Sequence, residues 1–205
     1  MNNPLNLKFI DPGWEEDFMM NEVQTEYHPE TWGLKPGSTV IEIGGHTGEV
    51  SMTLAEAFGA KVYVFEPSPQ NYRKLLANIQ ANGLNHLIYV FNLALTGDGR
   101  DIHMNMNQRN SGAHRIGNAG PIVASVTFRK VVEICGLMKP PEVVVMDCEG
   151  AEFEILEDLE AFRGVRVLRG EFHGNFNPGN IDDLLARVQT VIPDCKMTMV
   201  YGEKK

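Results

Sequence analysis

The chain predicts an α/β fold with a mostly parallel central sheet and helices on both faces, and three observations carry that prediction. Residues 39–58 read as strand, glycine turn and helix. Val40, Ile41 and Ile43 form a short β-branched run, Gly44, Gly45 and Gly48 break it, and Val50, Leu54, Ala57 and Phe58 then fall on one helical face. The pattern repeats at once, with a strand over 61–65 and a helix whose Tyr72, Leu75, Leu76 and Ile79 keep i, i+3, i+4, i+7 spacing. Lastly, EVVVM at 142–146 is an unbroken β-branched run of the kind shown by strands buried on both faces.

Composition sets the bounds. A chain of 205 residues, 43% hydrophobic and 22% charged, fits one globular domain with a sizeable core, or one domain with a short appendage. A formal net charge of −9 without a basic cluster argues against a nucleic-acid partner. The three cysteines lack C-x-x-C spacing, so neither a zinc site nor a disulfide framework is indicated. No apolar run is long enough for a membrane span, and residues 1–14 lack the charged and apolar regions of a leader, so the expected location is cytoplasmic.

Taken in order, residues 1–37 form a helical segment, with Trp14 and Phe18 on one side of a helix over 14–26 and Pro29, Pro36 and Gly37 breaking the chain after it. This segment either packs on the sheet edge or covers the cleft at the strand ends, and residues 38–205 make the main domain. Ser68 caps the second helix, Pro69 suits its first position, and Asn82-Gly83 stops it. A third strand runs over 87–91. From 97 to 125, five glycines punctuate short polar stretches in which Ile102, Met104 and Met106 alternate, which predicts an inserted β-hairpin in place of a crossover helix. Thr127 caps a short helix to Cys135. A helix carrying Phe153, Leu156 and Leu159 follows the fourth strand. A fifth strand spans 165–172, a helix capped by Asn180 follows, and 196–201 read as a last strand.

The chemistry gathers at the strand ends. A glycine turn lets backbone approach a ligand, and Glu66, closing the second strand, is placed to accept hydrogen bonds from both hydroxyls of a ribose. A dinucleotide fingerprint would need glycine at 43, where Ile43 stands; the spacing is instead E-x-G-G-x-x-G, led by Glu42. That resembles the first motif of class I S-adenosylmethionine methyltransferases, in which the acid helps hold the ligand's ammonium. The likeness narrows with VIEIGGHTGEVS (40–51), VFEPSPQNYRKLLANIQANGL (64–84), NSGAHRI (110–116), VVVMDCEGAEFEIL (143–156) and, more loosely, GEFHG (170–174). On these residues the chain resembles the FkbM family over roughly 38–175, the D-x-E-G-A-E segment being the most specific. The resemblance implies a Rossmann-like class I methyltransferase sheet of seven strands, S-adenosylmethionine as cofactor, and O-methylation of a hydroxyl on a small molecule, sugar or glycan. The fold ordinarily closes with an antiparallel strand pair; only 196–201 remain for it here, so a shortened C-terminal pair is expected.

The candidate cofactor-binding residues are Glu42, Gly44, Gly45, His46, Thr47, Gly48, Glu66, Pro67, Ser68, Asn92 and Ala94. Asp147, Glu171 and His173 are the candidate catalytic residues, because the fourth and fifth strands should end beside the first. His173 is the expected base, since an imidazole of ordinary pKa suits that task and a carboxylate can orient it, with no metal required. Asp147 could equally cap the next helix, and Glu149 and Glu152 could be first-turn charges facing the helix dipole. Ser111, His114 and Arg115 in the insert are the candidates for contact with the acceptor. Beside a small-molecule or glycan acceptor, a homo-oligomer is compatible with the sequence. Two other functions share the fold: an NAD(P)-dependent oxidoreductase, and a non-catalytic cofactor-binding partner subunit.

Overall fold

The computed structural model describes residues 5–10, 20–21, 23–107, 110–173 and 181–200. The glycine turn links β1 (Thr39–Ile43) to α1 (Glu49–Phe58), and β2 (Lys61–Phe65) leads into α2 (Pro69–Ala81). Ser68 caps α2 by accepting from the Asn71 amide at 3.3 Å, with Pro69 at the first helical position. Then come β3 (Ile88–Phe91), β4 (Ala94–Leu95), β5 (Ile102–Asn105), β6 (Arg115–Gly117), β7 (Ile122–Val123) and β8 (Ser125–Val126). The rest is α3 (Phe128–Ile134), β9 (Val143–Met146), α4 (Glu152–Ile155), β10 (Val167–His173), α5 (Ile181–Val191) and β11 (Asp194–Val200).

The main sheet has six strands in the order β11-β10-β9-β1-β2-β3, and every neighbouring pair is parallel. The order reverses beside β1, so the β1, β9 and β10 ends surround one crevice, where ligands bind in open α/β sheets. Side chains alternate across the sheet. Val40, Val62, Val64, Val143, Val145 and Val167 join Leu54 of α1 and Leu75 and Ile79 of α2 on one face. Ile41, Phe65, Val144, Met146 and Leu168 meet Val131 of α3, Phe153 of α4 and Leu184 and Val188 of α5 on the other. Both faces are covered, as parallel strands require.

The sequence expectations change in three places. The 97–125 insert is more than a hairpin: β5 pairs antiparallel with both β6 and β7, and β4 pairs parallel with β8. The helix expected after β9 is a single turn, and Leu159 belongs to a separate 3-10 turn over Leu159–Phe162. The closing strand, β11, starts at Asp194 and lies parallel against β10, with no antiparallel strand between them among the described residues. Arg169 anchors that pairing, donating to the Asp194 carboxylate and carbonyl at 2.8 Å each.

Most of the helix expected over 14–26 lies outside the described residues, as do the Asn180 cap and Tyr201. In the described part, Val23–Tyr27 form a wide helical turn, and Leu7, Val23, Tyr27 and Trp32 are buried in the core on the α1–α2 face. Asn82 of the α2 C-cap pairs with Lys8 as a strand would, accepting from its amide at 2.8 Å and donating to its carbonyl at 2.7 Å. Asn78 accepts from the Ile10 amide at 2.7 Å. Arg166 donates to the Trp32 carbonyl at 2.6 Å, fastening the segment to the far side of the sheet as well.

Candidate active site

The glycine turn after β1 is built by close approach. Gly44 has φ +89°, and a Cβ there would stand 1.7 Å from the Asp147 carbonyl oxygen; at Gly45 a Cβ would stand 2.1 Å from Val64 Cγ1. Only glycine allows the β1 and β9 ends to touch this way. Glu42, the last acid before the turn, is 2% exposed, and its Oε2 has no hydrogen-bond partner. Burial, aided by the charges of Glu49, Glu66 and Asp147, pushes its carboxyl well above the usual range. A buried, half-satisfied acid beside a tight glycine turn fits a cationic ligand group, which would supply the missing donor and countercharge.

Glu66 ends β2 with both oxygens engaged: Oε2 accepts from the His46 amide and Oε1 from the Ser68 amide, each at 2.8 Å. Each oxygen keeps a second lone pair for a ligand hydroxyl. Burial pushes this carboxyl from 4.5 up to about 7, against the lowering effect of the two amides and His46. Asn92 does not line the cavity; its side-chain amide donates to the Glu66 and Pro67 carbonyls at 2.8 and 3.0 Å and so supports the β2 end from behind.

His46, at φ 44° within the turn, sits in a hydrogen-bonded chain. Its Nδ1 lies 3.1 Å from Glu49 Oε1, and its Nε2 lies 2.8 Å from the Ser111 hydroxyl. The Ser111 carbonyl accepts from the Asn71 side chain at 2.9 Å. The insert is thereby latched to both the glycine turn and the start of α2. His114 accepts from the Asn107 amide at Nδ1, 3.0 Å away, which leaves its buried, unpartnered Nε2 as an N–H donor.

One cavity of about 670 Å³ connects these groups. Of the expected cofactor residues, Gly44, His46, Glu66, Pro67 and Ala94 line it, as do Ser111, His114 and Arg115 of the insert and Asp147, Glu171 and His173. Glu42, Gly45, Thr47, Gly48 and Ser68 do not. Thr47 is buried and donates to Glu49 at 2.6 Å, and Ser68 is occupied as a helix cap, so both support the site from below its surface.

The β9 and β10 ends bring the expected catalytic groups together. His173 Nε2 lies 3.8 Å from Asp147 Oδ1 and 3.4 Å from Glu171 Oε2. Two acids that the sequence leaves as ordinary first-turn charges complete the group. Glu149, at φ 53°, points Oε1 to within 3.7 Å of the same Nε2. Glu152 is fully buried; its Oε1 accepts from the Cys148 amide at 3.0 Å and lies 3.1 Å from His173 Nδ1, while Oε2 accepts from the Gly150 amide at 3.0 Å. Burial alone would lower the His173 imidazole, but the Glu152 hydrogen bond and the charges of Asp147 and Glu149 outweigh it and hold it up at about 9. These neighbours favour the protonated ring, where the sequence leads one to expect an imidazole of ordinary pKa. Burial, with the Asp147 and Glu152 charges, pushes the Glu149 carboxyl up to about 7. The one cue to both acids in the sequence is their place in D-x-E-G-A-E, where Gly150 permits the turn that points them inward.

The methyltransferase FkbM domain family matches residues 42–197. Among curated proteins, the hexuronic acid methyltransferase AglP of Haloferax volcanii is 25% identical over 133 residues, covering 63% of this chain and 54% of that protein. The chain thus spans about half the length of that relative. Among solved structures, P. horikoshii TYW2 in complex with MeSAdo is 13% identical with a TM-score of 0.44, covering 90% of this chain and 53% of that one. A SAM-dependent methyltransferase from Thiobacillus denitrificans in complex with S-adenosyl-L-homocysteine is also 13% identical, with a TM-score of 0.36, covering 75% of this chain and 40% of that one. No helix among the described residues is long and apolar enough to cross a membrane.

Proposed function

Since the chain belongs to the methyltransferase FkbM domain family, whose cofactor is S-adenosylmethionine, we propose that it transfers a methyl group to a hydroxyl of a sugar-type acceptor. The observation that carries this reading is the continuity of the cavity, which has Gly44 and Glu66 at one end and Asp147, Glu149, Glu171 and His173 at the other. The sugar-type acceptor is suggested by the hexuronic acid methyltransferase relative.

The cofactor, when bound, supplies a methyl group activated on a sulfonium. Everything else is the chain's own work. Gly44 and His46 of the turn border the amino-acid end, with the buried Glu42 behind them, Glu66 holds the ribose hydroxyls, and the apolar Leu93, Leu95, Ile102 and Met104 exclude water from the cavity. Arg115 and His114, both on the cavity wall, offer donors to acceptor oxygens. Proton removal falls to a carboxylate: Glu171, on the cavity wall 3.4 Å from His173 Nε2, is placed for it, while Glu152 holds the His173 ring beside it.

Calorimetry with S-adenosylhomocysteine tests the first half of this reading, and saturable binding is expected. Absence of binding at millimolar ligand would end it. A panel of uronic acids and neutral glycosides with radiolabelled cofactor tests the second half; binding without transfer to any of them would mark a non-catalytic module.

A further inference from the structure

We propose that Asp147, Glu149 and His173 form a divalent-cation site at the acceptor end of the cavity, with Glu171 at its rim. Its service to an acceptor rests on the methyltransferase reading above; the binding of the ion does not. Sequence reading favours proton removal without a metal, and the folded geometry leads to a different assignment.

The donor atoms of Asp147, Glu149 and His173 all lie within 4.8 Å of one another. They come from separate places: Asp147 follows β9, Glu149 sits two residues further on, and His173 ends β10. β9 and β10 are paired in parallel register through Met146 and Gly170, so convergence of their carboxyl ends is fixed by the sheet. The spacings suit an ion better than hydrogen bonds. Nε2 stands 3.8 Å from Asp147, 3.7 Å from Glu149 and 3.4 Å from Glu171. Ligands held about 2.1–2.3 Å from a common ion stand about 3–4 Å apart.

This is no surface patch of acids. The His173 imidazole is 5% exposed, and its other nitrogen is held by the fully buried Glu152, the carboxylate–histidine arrangement that orients a ligating ring. Three carboxylates meet at the Nε2 edge of that imidazole, with the Arg115 charge acting on Glu149, and a dication there would give all three a common centre. Two or three carboxylates with one imidazole suit a cation of the Mn²⁺ kind, which takes mixed oxygen and nitrogen ligands. All four side chains border the cavity, so the remaining coordination positions face the acceptor. The acceptor class that fits is one with two adjacent oxygens, a vicinal diol or a hydroxyl next to a carboxylate. The contact between Gly44 and the Asp147 carbonyl sets this end directly against the cofactor turn.

The test is a Mn²⁺ titration of the full chain after chelator treatment, followed by loss of the free-ion paramagnetic resonance signal. One ion per chain is expected, weakened about tenfold or more in both Asp147→Asn and Glu149→Gln, and unchanged in Glu133→Gln, which alters an exposed acid on α3. Thermal melting checks that each variant folds. Should one fail to fold, wild-type protein loaded with Co²⁺ serves instead: a paramagnetically shifted imidazole N–H resonance is expected, and its absence from the bound species overturns the site. Absence of saturable Mn²⁺ binding in the wild type, or binding that survives both substitutions, also overturns it. S-adenosylhomocysteine calorimetry on the same chelated sample separates the claims. S-adenosylhomocysteine binding without Mn²⁺ binding sinks the ion alone, and the reverse sinks the methyltransferase reading alone.

Discussion

Replacing Glu152 by glutamine keeps the shape of the side chain and removes its charge, and the consequences follow from its neighbours. Glu152 is fully buried, and its two oxygens face the amides of Cys148 and Gly150 and the Nδ1 of His173. Burial raises its pKa, but the His173 bond and charge, with the Gly150 amide and its own, outweigh burial and hold it below the usual carboxylate range. Glutamine offers one oxygen, so whichever way its amide turns, an NH₂ group faces an N–H donor and the remaining bonds lose their charge assistance. Hydrogen bonds to a charged partner are worth about 1.5–3 kcal/mol against about 1 for neutral ones, which puts the loss at about 3 kcal/mol. For a chain of this size that lowers the melting temperature by about 6–12 °C. Glu154, two residues on, is the control. It pairs with a half-exposed Arg100 at 2.7 Å, and Glu154→Gln should cost at most about 1 kcal/mol. Thermal denaturation by circular dichroism at neutral pH compares the two. Equal melting shifts in the pair, or a shift under about 2 °C for Glu152→Gln, would refute the claim that Glu152 holds this turn.

Further outcomes are expected at Glu66 and His173. Glu66→Gln should weaken S-adenosylhomocysteine binding by about 1.5–3 kcal/mol by calorimetry. Because ribose hydroxyls favour the ionised carboxyl, wild-type affinity should also rise as pH passes through about 7, and the substitution should flatten that rise. The same raised value gives the stability sign: Glu66's contribution is complete below 4.5 and is lost as pH rises through about 7. An unchanged affinity would place Glu66 outside the ribose contact. His173→Gln should lower turnover about ten- to a hundredfold with cofactor affinity little altered, once an acceptor is in hand, because the ring anchors the acid cluster, and undiminished turnover would remove His173 from the site.

Much of the sheet was legible because its signals are local. The β-branched runs at 39–43 and 143–146 and the capped stripe of α2 need no distant partner to be recognised. Orientation is not local, which is why β11 reads as a strand but its parallel pairing with β10 does not; the Arg169–Asp194 bond that anchors it spans 25 residues. Phe153, Leu156 and Leu159 keep helical spacing, yet they fall on two separate turns, with Phe153 and Leu156 buried and Leu159 partly buried. In the site, Asp147, Glu171 and His173 could be placed by strand order alone. The inward aim of Glu149 depends on a positive φ that no spacing announces. The latch between His46 and Ser111 joins residues 65 apart, beyond any periodic pattern.

The stitching of residues 5–10 and 23–32 bears on how the chain comes to be folded at all. Lys8 finds its partner at Asn82, 74 residues later, and the Trp32 carbonyl finds its own at Arg166, 134 residues later. During synthesis, Leu7, Val23, Tyr27 and Trp32 therefore emerge before the surfaces they bury against have been made: the Asn82 partner of Lys8 comes only after β2, and the Arg166 partner of Trp32 only at the start of β10. Contacts of such separation close late, after the loop entropy between them has been met by the sheet itself. The stretch made ahead of the sheet is among the last to settle onto it, and for that interval its apolar side chains are exposed to whatever guards or misdirects a nascent protein.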